Sequence, residues 1–383
     1  MRVAIITESF LPIVNGVVNS VLRVLEHLDQ RGHEAMVIAP GARERAEEIP
    51  SYMGFNVQRV PTIRVPMVNS LPVGVPTAAV YHGLRSFQPD VIHLASPFVL
   101  CAAGAFASSR LKVPAVAVYQ TDIAGFARRY KLSALSTASW DWTRALHNRC
   151  ALTLAPSTVA ITELRKHGVQ RVRRWGRGVD AERFHPRRRD PELRRQWDPS
   201  GEKIILGYVG RLAAEKGVHR FQKVSQDPRV QVVIVGDGPE RRALQELMPR
   251  AIFCGAKGGL DLARHYASFD IFAHPGEFET FCQTIQEAQA SGIPTIGPLA
   301  GGPIDLIHNQ VNGTLLPVAE FSRLLGPTVH RLMEPDLYPS LCQAARARVE
   351  CTTWESLGDK LLSYYEEVQA LAKIGDYGQG RSR

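Results

Sequence analysis

The sequence has 383 residues, a net charge of +9 and a pI near 9.4, with 45% hydrophobic and 22% charged residues. A chain of this length exceeds the size at which a single hydrophobic core stops growing, so two domains are expected. The basic charge favours acidic partners such as nucleotide phosphates or anionic lipid headgroups. Nucleic acid is not favoured, because no helix-turn-helix, zinc-finger or RNA-binding signature accompanies the charge.

The sequence predicts a cytoplasmic protein. Its six cysteines are scattered without a C-x-x-C pair, which is typical of a reducing compartment. The apolar N-terminal run meets Glu8 too early for a signal peptide. No segment approaches the roughly 18 uninterrupted apolar residues that a membrane-spanning helix needs.

The first predicted elements are a buried strand at residues 3–7, an amphipathic helix at 17–31 and a second strand at 35–39. This order is typical of a Rossmann-like domain. The fingerprint G-x-G-x-x-G is absent, which argues against a NAD enzyme. Gly16 stands where the loop meets the helix, so its backbone is either a phosphate contact or an ordinary turn.

Two more strands are predicted at residues 89–94 and 113–119, both ending in polar residues. Ligands of open α/β sheets bind at these carboxyl ends, which makes Gln120 and Asp122 candidates. His93 is a possible base, but a histidine inside an apolar strand is more often packed.

Basic and aromatic residues alternate from 124 to 149, and this stretch predicts either an anionic-membrane or acceptor surface or an ordinary solvated helix pair. Its members are Phe126, Arg128, Arg129, Tyr130, Lys131, Trp140, Trp142, Arg144, His147 and Arg149. The arginine-rich segment from 171 to 195, broken by glycine and proline, is typical of an interdomain connection. We therefore predict an N-terminal domain at 1–183, a C-terminal domain at 184–360 and a terminal helix and tail at 361–383.

The second half begins with a predicted strand at 203–209, and Arg211 and Lys216 follow it. A guanidinium fork and an ammonium group can both neutralise the charge on a departing nucleotide. An isolated arginine or lysine in a loop is more often an exposed surface residue without a ligand. Further on, Ala256 and Lys257 follow another predicted strand.

A strand at 269–273 leads to Glu279, and a helix at 284–291 carries Glu287 two turns inside. At 1.5 Å per residue the two carboxylates are predicted to lie roughly 12 Å apart, too far to act on one anomeric carbon. They can hold two ends of an elongated ligand, with phosphate at the N–H groups of residues 280–283. A nucleotide sugar fits, with sugar at Glu279 and ribose at Glu287. The spacing alone is also typical of a solvated helix.

The context of this pair resembles a known signature. Glu279 and Glu287, followed directly by residues 288–294, resemble the E-x7-E and A-x-A-S-G-x-P elements of the retaining glycosyltransferase family 4. Residues 210–217 resemble its G-R-L-x-x-x-K-G motif, and residues 177–186 resemble its hinge, with Arg177 in place of asparagine. The resemblance implies an α/β fold of two Rossmann-like domains facing a cleft (GT-B), with the terminal helix returning to the first domain.

The resemblance also implies roles for individual residues. The implied catalytic residues are Glu279, Arg211 and Lys216, and the implied donor-binding residues add Gly16, Ala256, Lys257, Thr280, Phe281, Cys282, Gln283 and Glu287. The implied acceptor residues are Asn15, Gln120, Asp122 and Arg128. Two positions depart from the usual pattern: Cys282 replaces a glycine and Gln120 replaces a histidine.

Within the family, the chain is most similar to actinobacterial GDP-mannose-dependent α-mannosyltransferases that act on glycolipids. This implies a peripheral enzyme at the inner face of the plasma membrane, with a glucuronosyl diacylglycerol or phosphatidylinositol-type acceptor. No cofactor or metal is expected, since the chain has no D-x-D triplet. Three alternatives remain: transfer from another nucleotide sugar, a GT-B-fold nucleotide-sugar epimerase, and a non-catalytic nucleotide-sugar-binding protein.

Overall fold

The structure is a computed structural model that describes residues 1–42, 44–63, 73–96, 98–120, 133–350 and 352–374, without the side chains of 45 and 133–136. The chain divides into two compact units. Unit 1 comprises Met1–Gly176 and Leu357–Arg383, and unit 2 comprises Arg177–Ser356.

Unit 1 is built on an eight-stranded sheet in the order β10-β9-β8-β7-β1-β2-β4-β3. Its pairs are parallel except for β3 with β4, and β5 and β6 form a separate antiparallel pair. The strands are β1 (Arg2–Ile6), β2 (Glu34–Pro40), β3 (Ser51–Tyr52), β4 (Phe55–Val60), β5 (Thr62–Ile63), β6 (Val73–Gly74), β7 (Val91–Leu94), β8 (Ala115–Val118), β9 (Leu152–Ala155) and β10 (Val172–Arg174). The central strands are buried on both faces, as parallel sheets covered by helices require.

Helices cover both faces of this sheet: α1 (Gly16–Gln30), α2 (Ala78–Phe87), α3 (Val99–Leu111), α4 (Ser133–Arg149) and α5 (Thr158–Lys166). Helix α1 begins where the sequence predicts because Asn15 caps it, its side chain accepting from the backbone N–H groups of Val17 and Val18. The cap fixes the loop between β1 and α1 at the carboxyl edge of the sheet.

Unit 2 has a six-stranded parallel sheet in the order β13-β12-β11-β14-β15-β16. Its strands are β11 (Ile204–Val209), β12 (Val230–Val235), β13 (Ile252–Gly255), β14 (Ile271–Ala273), β15 (Thr295–Pro298) and β16 (Gly313–Leu316). The helices of the remaining chain are α6 (Pro191–Trp197), α7 (Arg241–Leu247), α8 (Gly259–Ala267), α9 (Gln283–Ala290), α10 (Pro303–Leu306), α11 (Phe321–Leu332), α12 (Tyr338–Glu350) and α13 (Trp354–Lys373). Two hydrophobic clusters fill the spaces on either side of the sheet.

The last helix, α13, packs on unit 1. Leu361, Tyr365 and Val368 join the hydrophobic cluster of β1 and α1. His93, which the sequence offers as a possible base, lies in this contact, with its Nδ1 2.7 Å from the Tyr365 hydroxyl oxygen. Burial lowers the pKa of His93 to about 4. His93 is therefore a packed, neutral histidine.

The boundary between the units differs from the predicted positions 183 and 360. It falls between Gly176 and Arg177 and again between Ser356 and Leu357. Residues after 176 belong with unit 2 because they bond to it: the Val179 N–H donates to the Thr352 carbonyl at 3.2 Å. Phe184 lies in the core of unit 2. The hinge-like motif is thus the first segment of unit 2 rather than the last of unit 1.

The basic and aromatic stretch is only partly a surface. Residues 124–132 lie outside the described residues, and α4 carries the rest. Trp140 and His147 are buried at 7% and 1% exposure, contrary to their assignment to the surface. They fall at helical spacing on the inward side of α4, where Trp140 stacks on His167 with centroids 3.8 Å apart. Trp142 and Arg149 face solvent.

Within the described ranges, Cys101, Cys150, Cys254, Cys282 and Cys342 are free thiols, and Cys351 lies outside those ranges. No helix in the described parts of the chain is long and apolar enough to cross a membrane.

Candidate active site

A carboxylate and two cationic side chains meet at the carboxyl edge of the unit 2 sheet. Strands β11 and β14 are parallel neighbours, so the loops that follow them lie side by side. The loop after β11 carries Lys216, whose Nζ donates to Glu279 Oε1. The loop after β14 carries Glu279 and begins with His274, whose Nε2 lies 3.2 Å from the same oxygen.

The electrostatics of this cluster keep Glu279 ionised. Burial alone would raise the pKa of Glu279, but hydrogen bonds and charge from His274 and Lys216 hold it well below its usual range. Burial likewise opposes the charge on His274, yet Cys282 and Glu279 raise the pKa of His274 to about 10. At neutral pH the cluster is therefore one carboxylate between an ammonium and an imidazolium.

Arg211 lies in the same loop as Lys216. Its guanidinium is 63% exposed and donates to Glu215. The Arg211 carbonyl accepts from the Tyr208 hydroxyl at 3.2 Å, which fixes the turn after β11. Among the described residues this exposed guanidinium pairs with one carboxylate, and it is available to a diphosphate, which binds guanidinium groups in two-point contacts.

Two glycines let the neighbouring loops approach closely. A Cβ on Gly236 would lie 1.9 Å from the Gly210 carbonyl oxygen, and one on Gly238 would lie 2.3 Å from the Leu212 carbonyl oxygen. Side chains at these positions would separate the loops after β11 and β12. The glycines thus keep the Arg211 loop packed at the sheet edge.

Helix α9 begins one residue before the predicted start at 284, so Glu279 lies outside the helix. It starts at Gln283, and Cys282 caps it in the left-handed conformation, with φ 79°. Residues 279–282 are therefore not helical, and Glu287 stands only slightly more than one turn inside. The predicted distance of roughly 12 Å between Glu279 and Glu287 assumes that all residues from 279 to 287 are helical. This assumption is wrong, because the helix starts at Gln283. Phe281 is buried, so only its backbone remains available to a ligand.

The first turn of α9 holds the start of unit 2. Gln283 Nε2 donates to the Gly178 carbonyl at 2.9 Å, and Gln286 Nε2 donates to the Arg177 carbonyl at 2.8 Å. The side chain of Gln283 is thereby committed to the protein backbone. The charge of Glu279 also acts on Arg177, whose pKa burial lowers to about 10.

Glu287 has a different environment from Glu279. It is partly buried, and its Oε2 accepts from the Tyr266 hydroxyl at 2.9 Å. Burial raises the pKa of Glu287 to about 7, while the Tyr266 hydrogen bond and the charge of Arg183 oppose the shift. The two glutamates of the motif thus differ: Glu279 is a paired anion, and Glu287 titrates near neutrality.

The loop after β13 carries Ala256 and Lys257 at the same carboxyl edge of the sheet. Both residues are exposed, and Lys257 Nζ lies 3.3 Å from Asp261 Oδ2. A hydrogen-bonding base can reach the backbone of such a loop. The candidate donor-binding residues of unit 2 thus follow three different strands, β11, β13 and β14, and lie at one edge of the sheet.

The candidate residues of unit 1 lie at the carboxyl edge of its own sheet. Gly16 is the first residue of α1, and the preceding Asn15 caps it. Asn15 Nδ2 also donates to the Ser9 hydroxyl at 3.0 Å. The oxygen and the nitrogen of this side-chain amide therefore both form hydrogen bonds at the loop between β1 and α1. Gln120 is buried, and its Nε2 donates to the Ala95 carbonyl at 2.9 Å. Asp122 and Arg128 lie outside the described residues.

Two family models match the chain: Glycosyltransferase Family 4 over residues 14–183 and Glycosyl transferases group 1 over residues 189–325. A GDP-mannose-dependent alpha-mannosyltransferase of Corynebacterium glutamicum is 58% identical over 97% of this chain and 90% of its own length. The protein of the same name from Mycobacterium tuberculosis is 51% identical over 96% of this chain and 97% of its own length. The chain belongs to the family 4 glycosyltransferases.

Solved structures show the fold of this glycosyltransferase. The crystal structure of Anabaena HepE in complex with UDP superposes with a TM-score of 0.78 at 20% identity, covering 96% of this chain and all of its own. Sucrose-phosphate synthase from Thermosynechococcus elongatus gives 0.76 at 17% identity over 96% of this chain. At these identities the likeness establishes the GT-B fold alone.

Three features of this glycosyltransferase site are not predicted by its sequence motifs. His274 reads as part of a turn, although a histidine ending an apolar strand beside a motif carboxylate is a usable signal. Tyr266 is not assigned any contact with Glu287. The backbone of residues 279–281 is held by Gly301 and Gly302: the Gly302 N–H donates to the Glu279 carbonyl at 2.7 Å, and a Cβ on Gly302 would lie 2.3 Å from the Phe281 carbonyl oxygen.

In the described parts of this glycosyltransferase, no group of three or more His, Cys, Asp or Glu side chains is arranged to hold a metal ion. Asp180 and Asp190, each followed two residues later by a glutamate, have a spacing that can suit a metal ion, but the surrounding arginines favour ion pairs. Asp180 pairs with Arg183 at 3.3 Å, and Asp190 pairs with Arg264. Both carboxylates are therefore accounted for by arginine.

Proposed function

We propose that this glycosyltransferase moves mannose from GDP-mannose to a glycolipid acceptor with retention of configuration. The observation that carries the donor assignment is the 58% identity, over nearly the whole chain, to a GDP-mannose-dependent alpha-mannosyltransferase. The converging cluster of Lys216, Glu279 and Arg211 supports it, because it supplies both a sugar contact and cations for a leaving diphosphate.

In this proposal the donor lies along the carboxyl edge of the unit 2 sheet. Glu279 accepts hydroxyl hydrogen bonds from the mannose, and Glu287 accepts them from the ribose. Arg211 and Lys216 bind the diphosphate, together with backbone N–H groups at residues 280–283. The guanine stacks or bonds near Ala256 and Lys257. Lys216 then contacts phosphate and carboxylate together, which compensates the charge of both.

The chemical step follows from the state of Glu279. A carboxylate bonded to two cations is a poor nucleophile, so we do not assign a covalent glycosyl–enzyme intermediate to it. The bond between the anomeric carbon and the phosphate oxygen breaks, and a bond from the acceptor hydroxyl oxygen forms on the same face. The acceptor proton passes to the departing diphosphate oxygen. Lys216 and Arg211 stabilise the charge on that diphosphate without a metal or cofactor.

The acceptor is proposed to bind at unit 1, at Asn15, Gln120, Asp122 and Arg128. An amide-rich, partly buried edge suits the hydroxyl groups of a sugar headgroup, such as that of glucuronosyl diacylglycerol or a phosphatidylinositol-type lipid. The side chains of Asn15 and Gln120 already bond within unit 1, so their contribution is mainly to fix the shape of this edge.

A surface of unit 1 supports association with an anionic bilayer at the inner face of the plasma membrane. Phe106 and Trp142 are 51% and 47% exposed. The Arg149 guanidinium lies 4.3 Å from the Phe106 ring centroid, and Arg110 follows Phe106 one helical turn later. Exposed aromatic rings with adjoining arginines suit the interface of a negatively charged membrane.

The deciding experiment incubates the purified protein with GDP-mannose labelled in the sugar and a membrane lipid extract. Label in the lipid phase supports the proposal, and anomeric analysis of the product tests retention. Release of a rearranged GDP-sugar without lipid label would indicate an epimerase, and stoichiometric binding without turnover would indicate a binding protein. UDP-glucose and GDP-glucose in parallel reactions test the donor. Purified glucuronosyl diacylglycerol and phosphatidylinositol in separate reactions test the acceptor.

A further inference from the structure

The carboxylate of Glu279 is asymmetrically bound. Lys216 Nζ and His274 Nε2 both contact Oε1, the latter at 3.2 Å. In the described part of the chain, hydrogen bonds to this carboxylate reach Oε1 alone. Two donors on one oxygen fix both the position and the rotation of the carboxylate plane. The other oxygen, Oε2, is left as the acceptor for a hydroxyl group of the donor sugar.

His274 is itself held on several sides. It is 2% exposed, and its ring stacks on Tyr208 with centroids 6.0 Å apart and an interplanar angle of 21°. Its Nδ1 lies 3.5 Å from the Thr284 hydroxyl oxygen. A Cβ on Gly276 would lie 2.9 Å from Nε2, so the glycine leaves room for the imidazole. A side chain confined in this way can position another one.

The protonated imidazole is the form that suits this geometry, because both of its nitrogens then donate. Nε2 donates to Glu279, and Nδ1 faces the Thr284 hydroxyl and the nearby Cys282. The pKa of His274 is about 10, since Cys282 and Glu279 outweigh the cost of burial. The imidazolium therefore persists throughout the neutral range.

We propose that His274 is a positioning residue for Glu279, holding Oε1 so that Oε2 is directed at one hydroxyl group of the donor sugar. This inference rests on the mannosyl transfer proposed above. Lys216 alone cannot supply the same constraint, because its flexible ammonium group also serves the diphosphate and moves with it. His274 keeps the carboxylate fixed while Lys216 contacts both the carboxylate and the phosphate. The residue thereby sets how well the enzyme distinguishes sugars that differ in that hydroxyl.

The experiment compares His274→Gln with His274→Asn. Both side chains are neutral amides, but a glutamine NH₂ reaches the position of Nε2 and an asparagine NH₂ reaches only that of Nδ1. His330→Asn is the matched control, because His330 pairs with a carboxylate in the same unit, at 2.7 Å from Asp227 Oδ2. Thermal unfolding of all three variants checks that they are folded.

We expect kcat with GDP-mannose to fall about 10–100-fold in His274→Asn, since misplacing a catalytic group by about 1 Å has effects of this size. His274→Gln should stay within about 5-fold of the wild type, and His330→Asn should be unchanged. Affinity for GDP, which lacks the sugar, should not change in any variant. The preference for GDP-mannose over GDP-glucose should fall in His274→Asn. Equal kcat in the two His274 variants, or GDP affinity falling in parallel with kcat, would overturn the proposal.

A pH profile separates positioning from a merely structural role. The charged groups that act on Glu279 are Lys216, His274 and Arg177, and Tyr208 and Cys282 adjoin His274. Without the His274 hydrogen bond the Glu279 carboxylate is less stabilised, so the acid limb of kcat/KM should move to higher pH in His274→Asn, measured in a Glu287→Gln background that removes the carboxyl with a pKa of about 7. An unmoved acid limb in His274→Asn contradicts the proposal, and if this variant does not fold, ¹⁵N NMR of the wild type and Glu279→Gln decides instead.

A measurement that needs no donor distinguishes failure of this inference from failure of the proposed function. In histidine-selective ¹⁵N NMR, the Nε2–H resonance of His274 should shift when Glu279→Gln replaces its acceptor, and both ring nitrogens should be protonated at pH 7. If the wild type transfers no mannose but this shift occurs, the proposed function fails and the His274–Glu279 contact stands. Absence of the shift overturns the inference whatever the activity.

Discussion

Substitution of Glu279 should change the turnover rate without changing the affinity for GDP. Glu279→Gln keeps the size and an acceptor but removes the charge available to the transition state. Stabilisation specific to the transition state appears in kcat, so we expect kcat to fall about 10²–10³-fold. Calorimetry should show GDP affinity nearly unchanged, because GDP lacks the sugar that Glu279 contacts.

The matched variant is Arg211→Ala, which removes the guanidinium assigned to the diphosphate and should weaken GDP itself. If Glu279→Gln turns over normally, or loses GDP affinity as severely as Arg211→Ala, then the sugar and phosphate ends of the ligand are assigned to the wrong residues.

Glu287 gives a pH-dependent prediction. Burial raises its pKa to about 7 from an ordinary value of 4.5. The folded protein therefore binds an extra proton between these values, and stability is lost as pH rises through about 7. Glu287→Gln does not titrate and still accepts from Tyr266. We expect it to be more stable than the wild type by about 1–2 kcal/mol at pH 8, with little difference near pH 5.

Urea denaturation at the two pH values measures this difference for the protein without ligand. The same substitution should weaken GDP-mannose by about 1–3 kcal/mol at pH 8, because ribose hydroxyls donate to the ionised carboxylate. A variant that is stabilised equally at pH 5 and pH 8 would mean that Glu287 does not titrate in this range.

At the active-site positions, the sequence predicts which residues take part better than it predicts which of them contact each other. Lys216 and Glu279 were each singled out by motif, but their direct bond depends on β11 and β14 being neighbours in the sheet, a long-range fact. The contact of His274 with Glu279 is not predicted either, because the two residues lie on either side of a turn whose shape the sequence does not indicate. Cys282 in the left-handed conformation runs against its own propensity and follows from tertiary packing.

Among the elements, helix α13 depends on a close contact that a glycine permits. A Cβ on Gly358 would lie 2.3 Å from Cγ of His27, whose Nε2 is 2.9 Å from Asp359 Oδ1. Alanine normally favours a helix by about 1 kcal/mol over glycine. At position 358 the overlap should outweigh this, and we expect Gly358→Ala to destabilise unit 1 by about 1–3 kcal/mol.

Thermal or urea unfolding measures the effect of Gly358→Ala, and Ser363→Ala on the exposed face of the same helix is the control. A gain in stability for Gly358→Ala would show that α13 does not pack on His27 as described.

Local patterns predicted the elements well where hydrophobic periodicity was strong. The strands around residues 3–7, 35–39 and 203–209 and the helix at 17–31 all appear, with ends shifted by small amounts. The predicted helix at 284–291 appears as α9 (Gln283–Ala290), but the estimated distance between Glu279 and Glu287 extends this helix back to residue 279, whereas Cys282 is left-handed and non-helical. The unit boundary was also misplaced: a run of arginine and glycine looks like a linker, although its backbone carbonyls are bound by Gln283 and Gln286.

For the whole molecule, the cationic loop after β11 leads to a prediction about metals. Arg211 and Lys216 are proposed to neutralise the diphosphate, so transfer should persist in EDTA at an unchanged rate. The assay uses purified protein stripped of metal by dialysis, with a metal-dependent transferase as a positive control for chelation. Loss of activity that Mg²⁺ or Mn²⁺ restores would show that the two side chains do not suffice.

The aromatic and basic surface of unit 1 predicts how the molecule meets its lipid substrate. The protein should sediment with vesicles containing anionic lipid and be released by salt, because exposed charges are screened over about 10 Å at 0.1 M. Trp142→Ser and Phe106→Ser should weaken sedimentation and raise the KM for lipid acceptors, while leaving GDP affinity unchanged. Val311→Ser is the matched control, since Val311 is 55% exposed but belongs to unit 2. Equal sedimentation onto neutral and anionic vesicles, or an equal effect of Val311→Ser, would assign these aromatic residues to an ordinary solvated face.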